Sequence, residues 1–204
     1  KNYPTGSYVV LASQAFRPDF YRSLGWGTVG QLHSYTFVPE ALRDHDEVLP
    51  VRLGRGTDEP AIMACYERVA RRSNGLLQRS ERAWRVHFDT PETHVYVCGH
   101  NEVAGCIRDR YGQSRAADVR PLHVIELMAD QPDAYTSLLA WLSRQRELCG
   151  RIRYDAPPEE QFAYRLTDPR VPHFRAARRL WAPVARIIPG PMLRILDVAR
   201  ALAE

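Results

Sequence analysis

The order of elements between residues 51 and 188 constrains the fold more than any motif does. Val51-Arg52-Leu53 is a short β-rich run. After a Gly54-Arg55-Gly56-Thr57 turn, Ile62, Cys65, Tyr66, Val69 and Ala70 recur at helical spacing until Ser73-Asn74-Gly75. A second helix starts near Ser80 and carries Trp84. Residues 95–97 and 103–107 flank a Gly-His-Asn-Glu turn and read as a hairpin. Residues 121–128 give a strand, and Tyr135, Leu138, Leu139, Leu142 and Leu148 line a helix that Gly150 stops. Residues 151–154 read as a strand, 159–166 as a short helix and 179–188 as a long final strand. A hairpin that feeds a strand, a crossover helix and a parallel strand specifies a mixed sheet with helices on both faces. The expected class is α/β (α+β).

The chain has 204 residues, 45% hydrophobic and 25% charged, enough for a sizeable core and typical of a globular chain. The longest apolar runs, such as Tyr8-Val9-Val10-Leu11-Ala12, are far short of a membrane span. No basic region precedes an apolar stretch at Lys1-Asn2-Tyr3-Pro4, so no signal peptide, no membrane partner and a cytoplasmic location are expected. The net charge of +4 suggests nucleic acid until the cations are counted. Lys1 is the only lysine, and the arginines are interspersed with acids, as in Arg43-Asp44-His45-Asp46-Glu47. No nucleic-acid partner is expected, although Arg170, Arg175, Arg178, Arg179 and Arg186 form one local excess.

Cys65, Cys98, Cys106 and Cys149 show no CxxC spacing, and the seven histidines show no HExxH, so no metal site is expected. With His100-Asn101 as a two-residue loop, Cys98 faces Val103 and Cys106 faces Val95. Strand alternation then puts the two sulfurs on opposite faces, as free thiols.

At the other end, residues 8–13 read as a strand, Asp19-Phe20-Tyr21-Arg22-Ser23-Leu24 as a short helix closed by Gly25, and residues 30–38 as a strand. The proline-bounded, charged stretch 39–50 reads as a linker. A weak repeat is present: Val9 to Ala12 with Tyr21-Arg22 following resembles Ile152 to Ala156 with Tyr164-Arg165 following.

Phe20-Tyr21-Arg22-Ser23-Leu24-Gly25-Trp26 resembles a signature near the end of the GCN5-related N-acetyltransferase fold. Tyr66-Glu67-Arg68, Gly75-Leu76-Leu77-Gln78-Arg79-Ser80, Trp84, Leu166-Thr167-Asp168-Pro169-Arg170 and the stretch from Met192 to Leu202 follow in order. Together they resemble the enhanced intracellular survival family of bacterial acetyltransferases. The resemblance implies that residues 1–38 are the tail of a first acetyltransferase unit and 39–185 a second, degenerate unit. Residues 186–204 would begin a sterol-carrier-like domain, which makes the chain an internal fragment of a homo-oligomer. It also implies acetyl-CoA as co-substrate, an amine-bearing small molecule or protein lysine as acceptor, and a general base at the C-terminal carboxylate of the longer chain.

Tyr21 matches that family's general acid. A phenol of reference pKa ~10 can protonate a thiolate of reference pKa ~8.5 that forms beside it. Tyr21 also reads as a residue at a core edge, with Phe20 and Trp26 in the core. In this fold the coenzyme's pyrophosphate is held by the loop after the fourth strand. Here that loop reads Ala129-Asp130-Gln131-Pro132-Asp133-Ala134, with no glycine, two carboxylates and a proline without an N–H. Asp130 is expected to cap the helix, and the second unit is expected not to bind acetyl-CoA. The residues that bind the cofactor would lie before Lys1.

Two further features read as structural. Gly54-Arg55-Gly56-Thr57 is a turn rather than a phosphate loop, and Glu126 is a strand residue rather than a base. An alternative function is a non-catalytic scaffold for acceptor binding or oligomerisation.

Overall fold

The computed structural model describes residues 10–13, 16–43, 46–73, 75–113, 120–171 and 181–201. In chain order the elements are β1 (Val10–Ser13), α1 (Pro18–Ser23), β2 (Gly27–Thr28), β3 (Gln31–Phe37), β4 (Val51–Leu53), α2 (Glu59–Ala70) and α3 (Glu81–Asp89). They continue with β5 (Thr93–Cys98), β6 (Gly105–Tyr111), β7 (Leu122–Ala129), α4 (Pro132–Ser143), β8 (Ile152–Ala156), β9 (Arg186–Pro189), β10 (Met192–Ile195) and α5 (Val198–Ala201). The residues form two compact units: Ser34–Arg186, and Lys1–His33 with Ile187–Glu204.

One sheet has seven strands in the order β4-β5-β6-β7-β8-β3-β9. Strands β4 to β7 pair antiparallel and β7 with β8 parallel, so the sheet is mixed, as its element order requires. On one face α4 packs Leu138, Leu139 and Leu142 into a core with Ile107, Leu122, Val124, Ile152 and Phe162. On the other, Ile62 and Cys65 of α2 pack against Val97, Val103 and Cys106. Helices therefore cover both faces. Phe162 is fully buried, its ring 5.1 Å from Tyr35, 5.3 Å from Phe37 and 5.1 Å from Tyr154.

The smaller unit's sheet runs β1-β10-β2, with β10 antiparallel to both neighbours. A symmetry appears here that the sequence repeat only hints at. β3, which follows β2 in the chain, lies between β8 and β9; β10, which follows β9, lies between β1 and β2. Each set of two strands thus holds the strand that follows the other set.

Several local readings change. The hairpin turn spans 99–104, because Gly99 sits at φ 138 and Ala104 N–H donates to the Cys98 carbonyl at 2.8 Å. Cys98 therefore faces Gly105 and Cys106 faces Val97, not Val103 and Val95. Cys98 lies in the core under α4 and Cys106 in the core under α2, so the sulfurs still point to opposite faces. All four cysteines are buried and free, and burial pushes the Cys65 thiol up to about 11. Thiol counting in denaturant without reductant is expected to find four reactive groups; a mass matching one internal bridge would contradict this register.

Residues 159–166 form two 3-10 turns, Pro158–Glu160 and Phe162–Arg165, hinged at Gln161 with φ 51. The last strand of the seven begins at Arg186; residues 172–180, with Arg175, Arg178 and Arg179, lie outside the described residues. Arg170 is paired with Asp168 at 2.6 Å. The stretch read as a linker is packed: Leu42 is 2% exposed, and Val48 and Leu49 N–H donate to Ser137 Oγ at 3.1 and 2.9 Å. Among the described residues no helix is long and apolar enough to cross a membrane.

Candidate active site

Tyr21 sits in α1, which Pro18 opens at a position where a missing N–H costs nothing. Leu24 caps the helix, and Gly25 follows at φ 81, the left-handed geometry that favours glycine. The chain then folds back, and Trp26 N–H donates to the Tyr21 carbonyl at 3.1 Å. Three rings meet the half-buried Tyr21 ring edge-on: Phe20 at 5.5 Å, Trp26 at 5.6 Å and Phe16 at 6.1 Å. Such contacts hold a ring by its faces and edges without using its hydroxyl. Phe20 itself is 53% exposed, so the expectation that it is core fails: a six-residue helix with no buried residue has no inward face to give it.

In open α/β sheets, ligands bind outside the carboxyl ends of the strands. In the larger unit the relevant opening lies between β7 and β8. These strands pair only over Leu122–Val124 and Ile152–Tyr154. Arg108 faces Glu126 while Asp109 faces Val124, leaving Ile125 as an extra residue that bends β7. The elements that follow the two strands are tied together. Tyr135 Oη of α4 and Tyr154 Oη of β8 both donate to the Glu160 carboxylate, at 2.5 and 2.7 Å. Burial pushes the Glu160 carboxyl and both phenols up.

The loop at the β7 end does not fit a pyrophosphate. Asp130 does not cap α4. The N-cap is Gln131, with no side-chain cap bond, and Asp130 instead takes the Arg68 Nε at 2.5 Å. Arg68 also donates to the Val103 carbonyl at 2.7 Å, and the Asp130 N–H is spent on the Ala104 carbonyl at 2.9 Å. A cation and an N–H of the kinds that hold phosphate are therefore used internally.

The two features read as structural behave so. Asp58, in the 3-10 turn Gly56–Asp58, accepts from Arg55 N–H at 2.8 Å and pairs with Arg52 at 2.7 Å, filling the turn with its own carboxylate. Those bonds hold the Asp58 carboxyl down at about 2. Glu126 is held by the Arg79 guanidinium through both oxygens. The residues that tie these elements together, Tyr135, Tyr154 and Glu160, carry no local sequence signal, since their partners lie in different elements.

The acetyltransferase (GNAT) domain model matches residues 75–195, more than half the chain. No curated protein sequence matches the chain. Among solved structures, a GCN5-related N-acetyltransferase from Anabaena variabilis is similar with a TM-score of 0.76 at 17% identity, covering 95% of this chain and 47% of that one. One from Kribbella flavida gives 0.69 at 21%, covering 96% and 45%. Eis1 from Mycobacterium abscessus gives 0.70 at 26%, covering 96% and 49%. The chain spans about half the length of these structures. GNAT domains generally use acetyl-CoA. With its mixed sheet flanked by helices and a family match over more than half its length, the chain belongs to the acetyltransferase (GNAT) domain family.

Proposed function

We propose that the chain is part of an acetyl-CoA-dependent N-acetyltransferase that acetylates an amine on a small molecule or protein, with Tyr21 as its general acid. The observation that carries this reading is the Tyr21 ring, half-buried and held edge-on by three aromatic neighbours through contacts that leave its hydroxyl out. A phenol so held can donate a proton to the thiolate that departs when a neutral amine attacks a thioester. In this reading residues 1–38 are the tail of the catalytic unit, 39–185 a degenerate unit, and 186–204 the entry to a sterol-carrier-like domain. The phosphate loop and the carboxylate base belong to the longer protein, a cytoplasmic homo-oligomer.

The ties of Tyr135 and Tyr154 to Glu160 and of Arg68 to Asp130 favour a second role for the larger unit, as a scaffold rather than a cofactor site. Millimolar acetyl-CoA is expected to leave hydrogen exchange across 129–134 and 157–161 unchanged. Saturable protection there, with micromolar affinity, would show that the larger unit binds the cofactor and would remove the scaffold reading.

A further inference from the structure

Outside the crevice and the Tyr21 cluster, a half-open pocket of about 350 Å³ lies between α2, the 75–80 connection and α3. That volume suits a small molecule. Tyr66 and Trp84 form one wall, their rings 5.2 Å apart at 88°. Arg79 lies against both, its guanidinium carbon 3.9 Å from the Tyr66 centroid and 4.6 Å from that of Trp84.

The charges behind this wall do not balance. Arg79 pairs with Glu126 through two nitrogens, and His87 stands beside them, 6% exposed. The His87 Nδ1 lies 3.3 Å from Arg79 Nη1 and 3.5 Å from Arg108 Nη1, so it accepts and carries no proton. Burial, with the two guanidiniums, lowers His87 to about 4. Arg79, Arg108, Glu126 and a neutral His87 thus sum to one positive charge, and the Arg108 Nε is buried with no partner. A guanidinium has five N–H groups. Three of those of Arg79 meet Glu126 and His87, which leaves two without an acceptor among the described residues, on a side chain that lines the pocket. At the rim stand Arg71 and Glu67, of opposite charge, and Leu76 adds an apolar surface.

We propose that this pocket binds a small organic carboxylate, a monoanion with a flat apolar body. The carboxylate would accept from the two spare Arg79 N–H groups in the bidentate geometry that suits a guanidinium, with Arg71 adding attraction at the rim. A dianion would overcompensate a single excess charge and meet Glu67. A cationic amine is disfavoured, because Arg79 already occupies the ring faces that would receive it. The site is independent of Tyr21 and of its role.

Benzoate is a suitable probe, with benzylamine and benzyl alcohol as its cationic and neutral counterparts. Titration of the isotopically labelled chain is expected to shift the Trp84 indole N–H saturably with millimolar benzoate and with neither counterpart. Arg71→Glu, at an exposed position, is expected to weaken benzoate binding by about tenfold with an unchanged Tm. Absence of a saturable shift, equal binding of benzyl alcohol or benzylamine, or unchanged affinity in Arg71→Glu would each overturn the proposal.

Discussion

Replacing Tyr21 by Phe in the longer protein proposed above is expected to lower the kcat of the proposed acetyl transfer on the order of 10²-fold while leaving the KM for acetyl-CoA nearly unchanged. The substitution removes one oxygen and keeps the ring. Because Phe16, Phe20 and Trp26 all touch Tyr21 edge-on, a phenyl ring retains every one of these contacts. A side chain that merely fills the edge of the cluster would then lose at most about 1 kcal/mol of stability and no turnover. Measuring kcat and Tm on the same variant separates the two roles. Near-wild-type turnover would assign Tyr21 to packing and leave the proposed chemistry without its acid.

Acid is expected to unfold the larger unit in part through His87. Its folded pKa, about 4, lies below the ordinary value of 6.5 because burial and the guanidiniums of Arg108 and Arg79 oppose its charge. The unfolded chain therefore takes up the proton first. The neutral imidazole's contribution is fully present above pH 6.5 and is lost as pH falls through 4. At 1.36 kcal/mol per unit it amounts to about 3 kcal/mol. Asp109 works the other way over part of the same range, since burial raises its carboxyl, but it is common to wild type and variant and cancels in their difference. Urea unfolding of His87→Gln at a series of pH values should show a flatter acid limb than wild type, with Gln Oε1 keeping an acceptor for the guanidiniums. Parallel limbs would reject the assignment.

What the sequence makes legible follows from how local each signal is. The run from the hairpin through α4 to β8 is written in spacing and turn residues, and it appears in the expected order. The helix expected to start near Ser80 does so, with Ser80 as its N-cap accepting the Ala83 N–H at 3.3 Å. The unsuitability of 129–134 for phosphate is also local, because it rests on which residues are absent. The reason it fails is only half local, since Arg68, which neutralises Asp130, comes from another helix. Glu160 likewise gains meaning only when Tyr135 and Tyr154 reach it. The hairpin register departs from the expected one for a single reason: Gly99 at φ 138 lets the turn widen to six residues, which strand alternation cannot reveal.

The interleaved strands set an order of events during synthesis. Residues 34–186 form one unbroken stretch and can collapse as soon as they have emerged from the ribosome. The earlier residues cannot do the same. Val10 pairs with Ile195, and Gly27 with Leu193, so the sheet beside Tyr21 lacks its middle strand until residues 192–195 have been made. Contacts so distant in sequence are slow to form because a long loop must close first. Strands β1 and β2 are therefore made long before the strand that joins them, and a ribosome that stalls before Met192 leaves them without their shared neighbour.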